Sequence, residues 1–466
     1  MSRYVGSLAW HLAPMLVGLS VASPPASAQA IPTANALAPY KPLRFDEDWR
    51  DWCAARPADA EPTPKCIGIA DDVLLTIGGD LRERVELVDE PRFGLTQPSD
   101  QAFLHRILVH GDVRFGQSIR GFVQLGFFES SGRRQRAPAT DVNRLDLTQA
   151  FVDLNFTLAE GSMTIRPGRQ EVAVGASRLI SVRNGPNVRL SFDGVRTIYV
   201  GKNLRADAFY LRPVETEQGA FDDPTSDQRS VWGGYLTLPG PARGAIDLYY
   251  LGFRNKQARF SSIAGREVRH SLGARVSGAG HRWDWDAEAV AQFGELGGQS
   301  IRAWTLATST GYTFPAPLRP RLGIKANIAS GDAKPGDDKL GTFNALFPRL
   351  PYFSEAALFA PANFFDLHPT LAIQPARNLT LSAGWNRLWR HRRADAIYLA
   401  PLTAVMGTAG QQGRSIGAQW IAGVEWRPAP AIRVDAQYVH FRPGGALRQV
   451  GADNGDFFMA SVNLQV

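Results

Sequence analysis

The sequence predicts an all-β protein, a transmembrane antiparallel up-and-down β-barrel of about 18 strands. Three observations predict it. Apolar and polar side chains alternate with a period of two from about Leu74 to the last residue. The connections between these segments sort by parity, short after even-numbered strands and mostly long after odd-numbered ones. The chain opens with an export signal, and no later stretch offers about 18 consecutive apolar residues, so no transmembrane helix is expected in the mature chain.

Residues 1–28 read as a signal peptide. Arg3 supplies the positive end, an apolar run follows from about Val5 to Val21, and Ala26-Ser27-Ala28 fits the small-x-small cleavage rule. Pro24 and Pro25 directly after the apolar run argue against a retained anchor. Residues 29–72 are irregular, rich in Pro and charge, and are expected to form a periplasmic segment ahead of the barrel. Cys53 and Cys66 fall in this segment, and an oxidising compartment favours a disulfide between them, with two unrelated thiols as the alternative.

Residues 73–466 carry the barrel pattern. In the final segment Phe458, Ala460, Val462, Leu464 and Val466 alternate with Met459, Ser461, Asn463 and Gln465 up to the last residue, as a closing strand requires. Near the start, Leu75, Ile77, Leu81 and Val85 alternate with Thr76, Asp80, Arg82, Arg84 and Glu86. The same reading places strands near 74–87, 102–115, 118–128, 144–158, 161–173, 188–200, 203–214, 229–238 and 244–254. It continues with 267–278, 281–294, 300–314, 319–330, 364–375, 378–390, 414–427, 431–442 and 456–466. Short turns such as Gly116-Gln117, Ala159-Glu160 and Ala376-Arg377 alternate with long connections such as 129–143, 215–228, 331–363, 391–413 and 443–455. A soluble sandwich or propeller has no reason to sort its loops this way. Tyr199, Tyr210, Trp232, Tyr312, Trp389, Trp426 and Tyr438 near strand ends fit interfacial girdles.

Catalytic chemistry is sparse. Gly413-Arg414-Ser415-Ile416-Gly417 matches a nucleophile-elbow string, but it begins a strand where the elbow needs a strand–turn–helix. The eight histidines show no metal spacing, and His105 and His110 should point to opposite faces. Asp332, Asp337 and Asp338 lack a calcium-loop pattern and read as a solvated charge run. No catalytic residue, metal site or cofactor is therefore expected. The net charge of +7 comes from 51 basic and 44 acidic residues spread along strands, which does not suggest nucleic acid.

What remains is the lumen. Alternation turns inward Arg82, Arg84, Arg106, Arg114, Arg120, Arg205, Arg269, Arg275, Arg302, Lys325 and Arg433, against Asp80, Glu86, Asp112, Asp153, Asp207, Asp247, Asp284, Asp286, Glu288 and Asp435. Cross-strand ion pairs bracing the wall account for many of these. Unpaired arginines would instead favour anions.

The run Gly168-Arg169-Gln170-Glu171, then Gly175, Arg178-Leu179, Arg189 and Phe192-Asp193-Gly194-Val195-Arg196, resembles the alginate-export family of outer-membrane barrels. So do Leu43 to Trp49, Ile77 to Glu86, His105 to Asp112 and Gly341 to Pro348, in order from about residue 40 to the end. The resemblance implies an 18-stranded barrel, an Arg-lined lumen and passage of an anionic polyuronate or other anionic saccharide. A general or uptake porin is the alternative, and a barrel enzyme is a remote one. By matching positions Arg169, Arg178, Arg189 and Arg196 would face the lumen or its constriction, beside the inward Arg82, Arg84, Arg106 and Arg120. Asp193 would either hold one of these arginines by a bidentate pair or serve the shape of the Phe192-Asp193-Gly194 turn. The partners implied are outer-membrane lipid, the barrel-assembly machinery, the anionic saccharide and periplasmic export proteins. One departure is Val466, which stands where many barrels end in an aromatic residue.

Overall fold

The computed structural model describes residues 40–57, 59–95 and 99–466. The expected signal peptide, and residues 29–39 of the segment after it, lie outside them. One sheet of 20 strands dominates; two are the short additions Ile67–Ala70 and Lys339–Leu340, and the other 18 form a closed antiparallel barrel. These are β1 Val73–Asp89, β2 Asp100–Phe115, β3 Ile119–Ser131, β4 Asn143–Leu158, β5 Gly161–Gln170, β6 Phe192–Gly201, β7 Arg205–Pro213, β8 Arg229–Pro239 and β9 Ala245–Arg259. They continue as β10 Ala264–Gly280, β11 Trp283–Leu296, β12 Gln299–Thr313, β13 Arg321–Ala329, β14 Phe364–Ala376, β15 Leu379–Arg390, β16 Ser415–Ala429, β17 Ile432–Pro443 and β18 Gly455–Gln465. β18 closes on β1 from Asp80↔Gln465 to Asp89↔Asp456, so the cylinder has no free edge.

Burial follows the pleat with its usual sign reversed. Along β2, Phe103, Ile107 and Val109 are exposed on the outer face while Arg106, His110 and Asp112 are buried inside. Leu272 and Phe293 face outward, whereas Arg269, Arg275, Glu288 and Gln292 are buried. A water-soluble domain hides its apolar side chains; this wall shows them to hydrocarbon and keeps its charges within. Arg302 departs from the expected inward set. Ile301 and Ala303 are buried and Trp304 is exposed, so the same parity turns Arg302 outward.

The connections sort by end. Residues 116–118, 159–160, 202–204, 281–282, 377–378 and 430–431 make tight turns at one end, the periplasmic one by the barrel rule. The long connections lie at the other, although 260–263 and 297–298 are short there too. The expected strands 161–173 and 188–200 are trimmed, since β5 stops at Gln170 and β6 begins at Phe192. The intervening Val172, Val174, Leu179 and Ile180 lack strict alternation, and they are buried inside the cylinder instead of spanning it.

There they meet the 330–363 loop. Ile180 bridges Phe347, the Phe347 N–H donates to Leu179 O at 2.8 Å, and the Arg349 N–H donates to Ser177 O at 3.0 Å. Phe343, Phe347, Phe359, Ile397 and Tyr398 join the same apolar cluster, so loop 391–414 belongs to it as well. Burying each such side chain contributes on the order of 1.5–3 kcal/mol, which offsets part of the entropy lost in ordering long segments. Polar ties seat the plug on the wall: Arg269 Nη1 donates to Thr342 O at 3.2 Å and Gln292 Nε2 to Asn344 O at 2.7 Å.

The segment ahead of β1 also reaches inside. Phe45 packs edge-on against Phe122 and Phe151, with ring centroids 6.2 and 5.7 Å away. Arg44 and Lys65 both donate to the carbonyl of Val466 at 2.9 Å, which ties this segment to the last residue of the closing strand. Cys53 and Cys66 are joined, with S–S 2.04 Å.

Candidate lumen and constriction

Two cavities lie in series inside the barrel. The inner one, ≈ 710 Å³, reaches the short-turn end and is lined by wall residues of β1 and β15–β18 and by loop residues Arg183 and Arg349. Its lining holds eight arginines (82, 84, 106, 183, 189, 349, 427 and 433) against four acids, Asp80, Glu355, Glu425 and Asp435. The outer one, ≈ 300 Å³, lies under the long loops and reverses the balance, with Glu86, Asp89, Glu90, Asp141, Glu355 and Asp456 against Arg84 and Arg92. Both are lined by Arg84, Gly185, Pro351 and Glu355, which form the neck between them.

At the neck a wall residue meets a loop residue. Arg84 Nε donates to Glu86 Oε1 at 2.8 Å and its Nη1 to Glu355 Oε2 at 3.0 Å. β1 holds Arg84, and the 330–363 loop brings Glu355 across the lumen to it.

Arg82 and Arg106 have a different task. Arg82 donates to the carbonyls of Asn184 and Pro186 at 2.7 and 3.0 Å. Arg106 reaches Asn187 O, Asn184 Oδ1 and Pro186 O at 2.7–2.8 Å. Together they grip residues 184–187 from the wall and set one side of the neck, while the guanidiniums remain without a carboxylate partner among the described residues.

Five of the other expected site residues are turned into the wall or the plug. Arg120 binds Asp112 through two bonds of 2.8 Å and donates to Phe45 O at 2.7 Å. Arg196 Nε donates to Asp207 at 2.7 Å. Arg178 joins the inner loop to β11 through Asp286 and Glu288, both at 2.7 Å. Arg169 and Asp193 form a bidentate pair at 2.9 and 3.0 Å. Beside them Gly168 and Gly194 face each other across β5 and β6, both at positive φ, and a Cβ at Gly194 would collide with Tyr210 O. The Phe192-Asp193-Gly194 string therefore serves both the ion pair and the close approach of three strands. None of these five lines the inner cavity. Arg189 does line it, and it also donates to Glu171 at 2.7 Å.

Alternation missed Arg183 and Arg349, because both lie on loops. Among the described residues neither pairs with a carboxylate; Arg183 stacks over Phe347 at 5.8 Å and Arg349 Nε donates to Pro351 O at 3.2 Å. An uncompensated cation at the wall of a cavity is ready to receive an anion.

The family model described as Alginate export matches residues 73–461. OccAB1 of Acinetobacter baumannii is similar in fold, with TM-score 0.58 and 12% identity over 86% of this chain and 98% of its own. OccK11 (OpdR) of Pseudomonas aeruginosa follows with TM-score 0.56 and 12% identity, covering 87% of this chain and 98% of its own. A BenF-like porin from Pseudomonas fluorescens Pf-5 has TM-score 0.56 and 10% identity, covering 86% of this chain and 100% of its own. No curated protein matches the chain in sequence.

Proposed function

The chain belongs to the alginate-export family of outer-membrane channels, and from that premise we propose that it passes an anionic saccharide from the periplasmic end outward. The observation that carries this reading is the inner cavity, where eight arginines face four acids. In a low-dielectric cylinder such an excess concentrates anions. The sign of the lining reverses at the neck, so an anion drawn to Arg84 from the inner cavity is held there against the carboxylates of the outer one, and the outward direction rests on the family alone. Glu355 occupies Arg84 as a substrate carboxylate would, so an arriving uronate competes for the same guanidinium and loosens the 330–363 loop from the wall. Arg183 and Arg349 are the other anion contacts. Nothing in the described chain supplies energy, so flux follows a gradient or a periplasmic partner. The signal peptide over residues 1–28 delivers the chain to the envelope, and the assembly machinery inserts it.

Planar-bilayer recordings test this. Oligouronate added on the periplasmic side is expected to interrupt the current, and a neutral oligosaccharide of equal length is expected not to. Equal block by both sugars would replace this reading with that of a general porin.

A further inference from the structure

We propose that Arg387 and Arg442, on the lipid-facing side of the wall at the long-loop end, bind the phosphate groups of a phosphorylated glycolipid in the outer leaflet. β15 and β17 both rise from short turns, so Arg387 and Arg442 lie close to the strand ends that meet the long loops. Both face outward. Asn386 and Leu388 on β15, and Phe441 on β17, are buried within, while Trp385 and Trp420 are exposed on the face that the arginines share. Arg387, Ala418 and Arg442 stand in one row across β15, β16 and β17. Two strand spacings set the arginine Cα atoms roughly 10 Å apart, within reach of one headgroup.

The two side chains close over the row between them, since Ala418 points outward yet is only 2% exposed. Arg387 lies over the Trp389 ring, 5.6 Å from its centroid, and donates from Nη2 to Ser415 Oγ at 2.9 Å. Arg442 lies over the Trp420 ring at 5.9 Å. Trp389 is braced in turn by Phe365, with ring centroids 5.1 Å apart. Aromatic rings near strand ends belong to the headgroup layer, and a guanidinium resting on such a ring keeps N–H groups for phosphate. Among the described residues neither arginine has a carboxylate partner. Asp456, the acid on the neighbouring β18, is taken by His440 Nδ1 at 2.9 Å and by the Tyr438 hydroxyl.

Charge complementarity names the occupant. Residues 387–415 hold five arginines and one acid, Asp395, which is buried and bonded to Tyr398 and Thr342. Arg392 and Arg414 are exposed at the rim, and Arg390 N–H donates to Arg414 O at 2.8 Å, which keeps Arg414 beside the end of β15. A cation on a lipid-facing wall costs least near the interface and gains most where that interface supplies anions. A single phosphodiester would meet one or two of these guanidiniums, whereas a sugar frame bearing several phosphates meets the set. Beyond β18 the outer face turns acidic, with Glu83 and Glu129 flanking His105 in one row, which confines such a headgroup to β15–β17. The patch lies outside the lumen and does not depend on the transport reading.

The full-length protein in detergent micelles is mixed with bis-phosphorylated lipid A, with the same lipid stripped of its phosphates, with phosphatidylglycerol and with inorganic phosphate. Native mass spectrometry counts the species that stay bound. Lipid A is expected to be retained under conditions that strip the other three. The double variant Arg387→Gln, Arg442→Gln should weaken lipid A binding about tenfold or more. Loss of the same charge at the short-turn end, in Lys202→Gln with Arg377→Gln, should leave it unchanged. Equal retention of the stripped lipid or of phosphatidylglycerol, displacement of lipid A by inorganic phosphate, undiminished binding in the first double variant, or equal loss in the second, overturns the site. Should the Arg387, Arg442 double variant fail to fold, Arg442→Gln alone, at an exposed side chain, decides by the same readout.

Discussion

Arg196 and Arg183 show how far a single residue could be read from the chain. Alternation fixes which face a strand side chain occupies, so the inward setting of Arg82, Arg84, Arg106 and Arg120 was legible. It says nothing of partners, because the acid that neutralises Arg196 is Asp207 on the next strand, and strand register is not written in either segment alone. Different outcomes are expected for the two kinds of arginine. Arg196→Ala leaves the buried Asp207 to Arg205 alone and should cost about 1–3 kcal/mol in urea unfolding, with ion selectivity unchanged. Arg183→Ala, combined with Arg349→Ala, should lower the anion preference in bilayer recordings with little effect on unfolding. Selectivity lost in Arg196→Ala and kept in the double variant would refute this division.

Among elements, strands were legible and loops were not. β16, β17 and β18 fall within a residue or two of their expected ranges, because a wall between lipid and water imposes its period on every residue. The 171–191 segment escaped, since its apolar residues answer to Phe347 on a loop far along the chain and not to lipid. The insertion of Phe45 escaped for the same reason. Arg82 and Arg106 hold the 184–187 turn by its carbonyls, so Arg106→Ala should free it and expose the 171–191 segment to trypsin in the folded protein; resistance equal to wild type would show that the grip is idle. At the neck, Glu355→Gln removes the charge that holds the 330–363 loop to Arg84. It should raise single-channel conductance and the frequency of full openings, and an unchanged trace would assign the neck to other residues.

At the scale of the molecule the barrel was the most legible feature of all, since period-two alternation and loop parity are properties of the whole chain. The path through it was not legible. It depends on three loops folding inward and on the sum of charges from distant segments, with arginines in excess in the inner cavity and acids in the outer. The reversal potential of the purified channel under a KCl gradient, in a bilayer of neutral lipid, measures that sum directly. A potential displaced toward the chloride equilibrium value is the predicted result; displacement toward the potassium value would contradict the account.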